Sequence, residues 1–276
     1  MTAEQKNTLN GFLNIAEDYL CGGYRTPRAV HLYTDDPGPA GKTSLLENAE
    51  ERPPPNQAEE GVFSALEAEI KACGACPLSR NRRQALSGTG SEKPLVLVIA
   101  ECPAPEDDRE GQVFTGETGA LFDRMLRAIG LYREKNCFIT YSVKCSPPPD
   151  YVIQEAERSS CAAFLKRQLL CLKPHAILAL GAAAGMGALK GLSVSPESAG
   201  APREAGRIGE DLINRTEDMR GRFFSCLGIP LMVTYHPAEV LLNTGLKAPV
   251  WKDLQQLQAK LAELEKMLLE NSEGGQ

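Results

Sequence analysis

FITYSVKCSPPP, residues 138 to 149, reads as a strand that stops abruptly. Phe138, Ile139, Tyr141 and Val143 suit a pleated surface, whereas the three prolines cannot continue a hydrogen-bonded ladder. Lys144 and Cys145 are therefore expected at a strand's carboxyl end. Three other apolar runs are bounded by turn-forming residues: Pro94 to Glu101 (PLVLVIAE), His175 to Gly181 (HAILALG) and Pro230 to Tyr235 (PLMVTY). Such continuous runs are what strands buried on both faces require. Helical spacing separates them at Thr118 to Ile129, Glu155 to Leu172 and Ala182 to Lys190, and Val250 to Leu269 reads as a long closing helix. The alternation predicts an α/β fold, a three-layer α/β/α sandwich around a central four-stranded, mainly parallel sheet. In such sheets ligands bind where the loops leave the strands' carboxyl ends.

Outward from this framework the chain changes character. Residues 1–34 hold a helical pattern at Thr8 to Leu20, and residues 35–60 are rich in proline and acid with few large apolar groups, as a linker is. The folded domain is expected over 61–276, with a Gly-, Ser- and charge-rich surface insertion at about 191–218. The net charge is −6, and residues 1–60, with ten acids against five bases, supply −5 of it. Leu121 to His175 reverses the balance, with nine bases against five acids, so a local basic face is compatible with the acidic whole. No apolar run reaches the roughly 18 residues of a membrane span, and the first twenty residues lack a signal peptide's apolar segment. A cytoplasmic protein with no membrane partner is expected.

Nine cysteines in such a chain argue for metal ligation or burial rather than disulfides. Cys73 and Cys76 form a CxxC at the end of a short helix, Val62 to Lys71. Cys145 ends the strand above, and Cys161 follows sixteen residues later inside the next helix. Alone the CxxC leaves zinc, redox and chance readings open, but four thiolates from two separated places can enclose one metal centre. Cys102, Cys137, Cys171 and Cys226 lie in or beside apolar segments and read as small buried hydrophobes. Of the three histidines, His236 alone follows a strand end directly, at Tyr235-His236-Pro237.

The blocks CxxCxL with its arginine-rich continuation (Cys73 to Arg83), AECPAPEDD, GQVFTGETG, ITYSVKC, LKPHAILALG, MRGRF, TYHPAEVLLN and KAPVWKDL occur in the order found in family 4 uracil-DNA glycosylases, which the chain resembles from about Cys73 to Leu257. The resemblance implies a DNA repair enzyme that hydrolyses the N-glycosidic bond of uracil and carries a structural [4Fe-4S] cluster on Cys73, Cys76, Cys145 and Cys161. It implies that His236 donates to the uracil oxygen as charge develops, that Glu101 stands near the attacking water, and that Phe114 stacks on the base. Cys102, Pro103 and Tyr141 would complete the pocket. The expected partner is uracil-containing DNA, single-stranded or mismatched by preference, and the expected state is a monomer.

The chain also departs from the family pattern. Tyr141 occupies the place of an asparagine that would read the uracil edge, and one phenolic hydroxyl cannot reproduce a two-point amide contact. Motif one reads Ala100-Glu101-Cys102-Pro103-Ala104 in place of glycine-rich GE and PG pairs. Gln112, Glu117, Ser146, Ala238 and Leu242 stand where arginine or serine is usual, which removes phosphate contacts. These departures raise the alternative of a weakened, altered-specificity or non-enzymatic protein of the same fold.

Overall fold

The computed structural model describes residues 57–192 and 215–273. The N-terminal helical pattern, most of the linker and residues 193–214 of the insertion lie outside the described residues. In chain order the elements are α1 (Gln57–Ala72), β1 (Thr89–Gly90), β2 (Val96–Ala100), α2 (Pro105–Glu110), α3 (Gly116–Arg127), α4 (Arg133–Asn136), β3 (Cys137–Tyr141), α5 (Glu155–Leu172), β4 (Ala176–Leu180), α6 (Ala182–Leu192), α7 (Thr216–Met219), β5 (Phe223–Cys226), β6 (Ile229–Thr234), α8 (Pro237–Leu242) and α9 (Lys247–Glu273). The helix before Cys73 thus begins at Gln57, inside the stretch expected to be linker. Thr216–Met219, which overlaps the end of the expected insertion, is a helical turn with Thr216 and Met219 buried.

The four apolar runs form adjacent parallel strands, and two short antiparallel strands extend the sheet to six in the order β1-β3-β2-β4-β6-β5. Every residue of β2, β3 and β4 is buried. Because side chains alternate across a pleat, each run feeds two cores. Val96, Val98 and Ala100 of β2, with Ile139 and Tyr141 of β3 and Leu178 of β4, pack against Phe122 and Leu126 of α3 and Leu254 and Leu257 of α9. Leu97, Ile99, Phe138 and Ile177 face the other way, onto Leu165 and Leu169 of α5 and Ala184 and Ala188 of α6. The result is the three-layer α/β/α arrangement. Among the described residues no helix is long and apolar enough to cross a membrane.

One buried ion pair ties three of the sequence blocks together. Arg220 donates to Asp253 from Nη2 (2.6 Å) and Nε (3.0 Å), and Thr234 at the end of β6 donates its hydroxyl to the same carboxylate at 2.7 Å. Asp253 is 1% exposed, so the bidentate partner and the hydroxyl are what make a charge tolerable there. This anchors the end of β6 to α9, two residues before His236.

Candidate active site and cysteine cavity

The carboxyl ends of β2, β3 and β6 open onto one cavity of about 270 Å³, lined by Cys102, Asp107, Phe114, Thr115, Tyr141 and His236 among others. It lies where a parallel sheet is expected to bind its ligand. The volume falls just under the roughly 300 Å³ at which pockets for drug-sized ligands begin, so it suits a single ring system.

Phe114 has a left-handed backbone, with φ of 54°. For a bulky residue this is strained and persists only where the surroundings over-determine it. Three contacts do so. Its N–H donates to the Tyr141 hydroxyl at 3.2 Å, its carbonyl accepts from Arg133 Nη2 at 3.1 Å, and Gly119 lies so close that a Cβ there would sit 1.8 Å from the Phe114 oxygen. Arg133 also donates to the Val113 carbonyl at 2.6 Å and pairs with Asp123 at 2.6 Å. The Phe114 ring stacks on Phe122 (centroids 4.8 Å apart) and faces His236 (5.3 Å). The 5.3 Å between Phe114 and His236 is less than the ~7 Å, twice a ~3.4 Å stacking rise, that a flat ring between them would need, so no ring fits between these two.

Tyr141 walls this cavity without filling it. Its ring is 1% exposed and runs parallel to Phe114, with an interplanar angle of 11° and centroids 6.0 Å apart. The hydroxyl donates to Asp107 Oδ2 at 2.7 Å while accepting from the Phe114 N–H, so its only donor is consumed inside the protein. Burial, and then the neighbouring Asp107 charge, push the phenol pKa well up, and it stays protonated. Asp107 is the hub. Besides Tyr141, its carboxylate accepts from Ala104 N–H (3.1 Å), Thr115 N–H (2.8 Å) and the Thr115 hydroxyl (2.9 Å). It joins the loop after β2 to the loop before α3.

His236 caps α8. Its Nδ1 accepts from the Ala238 N–H at 3.2 Å, and its own N–H donates to Glu239 at 2.8 Å, a reciprocal capping box. With Nδ1 an acceptor, the ring proton sits on Nε2. Burial lowers the imidazole pKa to about 4, partly opposed by the Asp107 charge. At neutral pH the ring is a neutral Nε2–H donor.

The remaining side chains of interest fall in different places. The Glu101 carboxylate does not line the cavity, for Arg158 Nη2 of α5 holds it at 2.7 Å. The buried carboxylate that does line the cavity is that of Asp107. Pro103 is buried outside the lining, while Cys102 is within it, its thiol pushed up to about 12 by burial and so no nucleophile. Lys144 does not reach the cavity. Its ammonium is 1% exposed and donates to the Tyr141 carbonyl (2.5 Å), Gln168 Oε1 (2.6 Å) and Thr140 Oγ1 (2.7 Å), and burial brings its pKa down to about 7. Of the five positions where the resemblance leads one to expect arginine or serine, Gln112, Glu117 and Leu242 are exposed, Glu117 and Ala238 line the cavity, and Ser146 is buried.

The four cysteines of interest line a second cavity, together with Lys144 and Arg82. Cys73 follows α1, Cys76 precedes a short 3₁₀ turn, Cys145 leaves β3 and Cys161 lies in α5. A small apolar cluster that includes Leu66, Ile70, Leu78 and Val143 surrounds them. Burial raises the thiol pKa values of Cys145 and Cys161. Among the described residues no three Cys, His, Asp or Glu side chains converge as ligands of a single metal ion. The four cysteines instead line one shared space, and four cysteines are the kind of ligand set that iron-sulfur clusters use.

Residues 87–257 match the family model described as the uracil DNA glycosylase superfamily. The type-4 uracil-DNA glycosylase of Saccharolobus solfataricus is 31% identical over 199 residues, covering 70% of this chain and 84% of the relative. That of Pyrobaculum aerophilum is 31% identical over 189 residues, 67% of this chain and 87% of the relative. A type-5 uracil-DNA glycosylase of Pyrobaculum aerophilum is 31% identical over 165 residues, 54% of this chain and 64% of the relative.

Proposed function

The chain belongs to the uracil-DNA glycosylase superfamily, among its type-4 members, and on that premise we propose that it hydrolyses the N-glycosidic bond of uracil in DNA at the Phe114–Tyr141–His236 cavity. The observation that carries the assignment is the neutral His236, whose Nδ1 is occupied by its own helix cap and whose Nε2–H is the remaining donor. As the bond between C1′ and the base breaks, negative charge grows on the departing uracil. A fixed neutral donor is stronger in that transition state than in the ground state, which is what catalysis requires. Asp107, against the same cavity, supplies negative charge to oppose the cationic character that develops on the sugar. Phe114 offers its ring to the extruded base, and Glu101 shapes the loop through Arg158 rather than activating water.

Cys73, Cys76, Cys145 and Cys161 would hold a [4Fe-4S] cluster. When bound, it supplies a cross-link between the end of α1 and the segment from β3 to α5, and no chemistry on the base. The donor set and the shared cavity support this reading. The protein acts as a monomer in the cytoplasm.

Extruding a base from a duplex costs a few kcal/mol, least for unpaired or mismatched nucleotides. Single-stranded and mismatched uracil should therefore be released faster than paired uracil. His236→Ala, checked for retained fold, should lower release about 10²- to 10³-fold, the scale for loss of one such donor. Wild-type protein that releases no uracil from single-stranded DNA would overturn the assignment. One observation favours a second reading, of a shifted base preference: the Tyr141 hydroxyl is consumed by Asp107 and Phe114, so the edge-reading amide has no substitute at that position. Hypoxanthine and thymine opposite guanine, assayed beside uracil, separate the two readings.

A further inference from the structure

Arg82 lies within a run of arginines that sequence alone would assign to solvent or phosphate. Arg80 and Arg83 on either side are exposed, but Arg82 turns inward and lines the cysteine cavity. Its Nη1 donates to Cys145 Sγ at 2.8 Å. Its Nη2 donates to the carbonyls of Cys73 at 2.5 Å and Lys71 at 3.3 Å. One guanidinium thus joins the segment carrying Cys73 and Cys76 to the loop carrying Cys145, and it does so through a ligand sulfur.

An arginine is always charged, and its planar fork suits simultaneous contacts of this kind. Hydrogen bonds to ligand sulfurs and nearby charge are among the determinants of an iron-sulfur cluster's reduction potential. A cation donating to sulfur favours the state with one more electron, so it raises the potential. We propose that Arg82 holds Cys145 in position for the cluster and sets the cluster's reduction potential through that sulfur. The inference rests on the cluster reading above.

The test uses full-length protein prepared without oxygen, with iron and sulfide counted per chain and the one-electron potential read by voltammetry, the electrode supplying the electron. Arg82→Gln should lower the potential by about 59 mV or more, the equivalent of a tenfold change in a one-electron equilibrium. Arg82→Lys, which keeps the charge and loses the fork, should recover part of that shift. Loss of iron and sulfide from either variant, with its circular dichroism unchanged, supports the holding role. Both variants retaining the cluster at the wild-type potential would overturn the inference while leaving the cluster reading intact. Wild-type protein without iron and sulfide would defeat both, and the count distinguishes the two failures.

Discussion

Replacing Tyr141 by phenylalanine removes one oxygen from a site that is 1% exposed, and the structure sets what that oxygen is worth. The hydroxyl donates to the Asp107 carboxylate at 2.7 Å and accepts from the Phe114 N–H at 3.2 Å. A hydrogen bond to a charged group contributes ~1.5–3 kcal/mol, and a buried donor left without a partner costs ~1–3 kcal/mol. Because both sit in one network they do not add fully. The expected loss is about 3 kcal/mol, well above the ~1 kcal/mol of an ordinary hydrogen bond. Urea denaturation, with a slope of ~3 kcal/mol/M, should show the midpoint falling by about 1 M at unchanged slope. Uracil release should fall with it, since the same N–H holds Phe114 in its left-handed conformation. A loss under about 1 kcal/mol would refute the reasoning, because it would mean that water or a relaxed loop satisfies Asp107 and Phe114 as well as the phenol does.

Gly119→Ala should cost more than ~2 kcal/mol and abolish most uracil release, since its Cβ would fall 1.8 Å from the Phe114 oxygen. Gly116→Ala, in open space at φ of +63°, should cost only the ~1–2 kcal/mol of left-handed backbone, and equal melting temperatures for the two variants would count against this account. For His236 the folded pKa of about 4 lies below the unfolded value near 6.5, so the unfolded chain binds the extra proton between them. Its stabilising contribution is present above pH 6.5 and is lost as pH falls toward 4. The kcat/KM profile for uracil release should accordingly run flat from about pH 5.5 to 8 and bend only on the acid side; an inflection near 6.5 would show a ring that titrates as in water.

Much of the fold was legible because the strand runs carry their own explanation. VLVIA and AILAL are apolar throughout, and CFITY nearly so, because each feeds two cores at once; the exceptions, Thr140 and the Tyr141 hydroxyl, are buried with hydrogen-bond partners. The edge strands were not legible. β1 has two residues, too few for any period, and β5 joins β6 through a tight turn at Leu227 and Gly228, both at positive φ. Gly228 before an apolar run was the available signal for that hairpin.

The site divides along the same line. Residue type and order brought His236 and the four cysteines forward, because an imidazole after a strand end and a CxxC with two later partners are features of the chain itself, whereas Phe114 and Tyr141 came forward as pocket residues only through the family resemblance. Which way Glu101 turns, that Asp107 is the hub, that Lys144 is buried and that Arg82 meets a sulfur were decided only by the tertiary structure. The physical reason is range. Apolar burial is set by strand period and needs no knowledge of the neighbour, whereas a charged side chain takes its role from a partner far along the chain: Arg158 for Glu101, Tyr141 for Asp107, Cys145 for Arg82. Those partners meet only once the sheet has assembled.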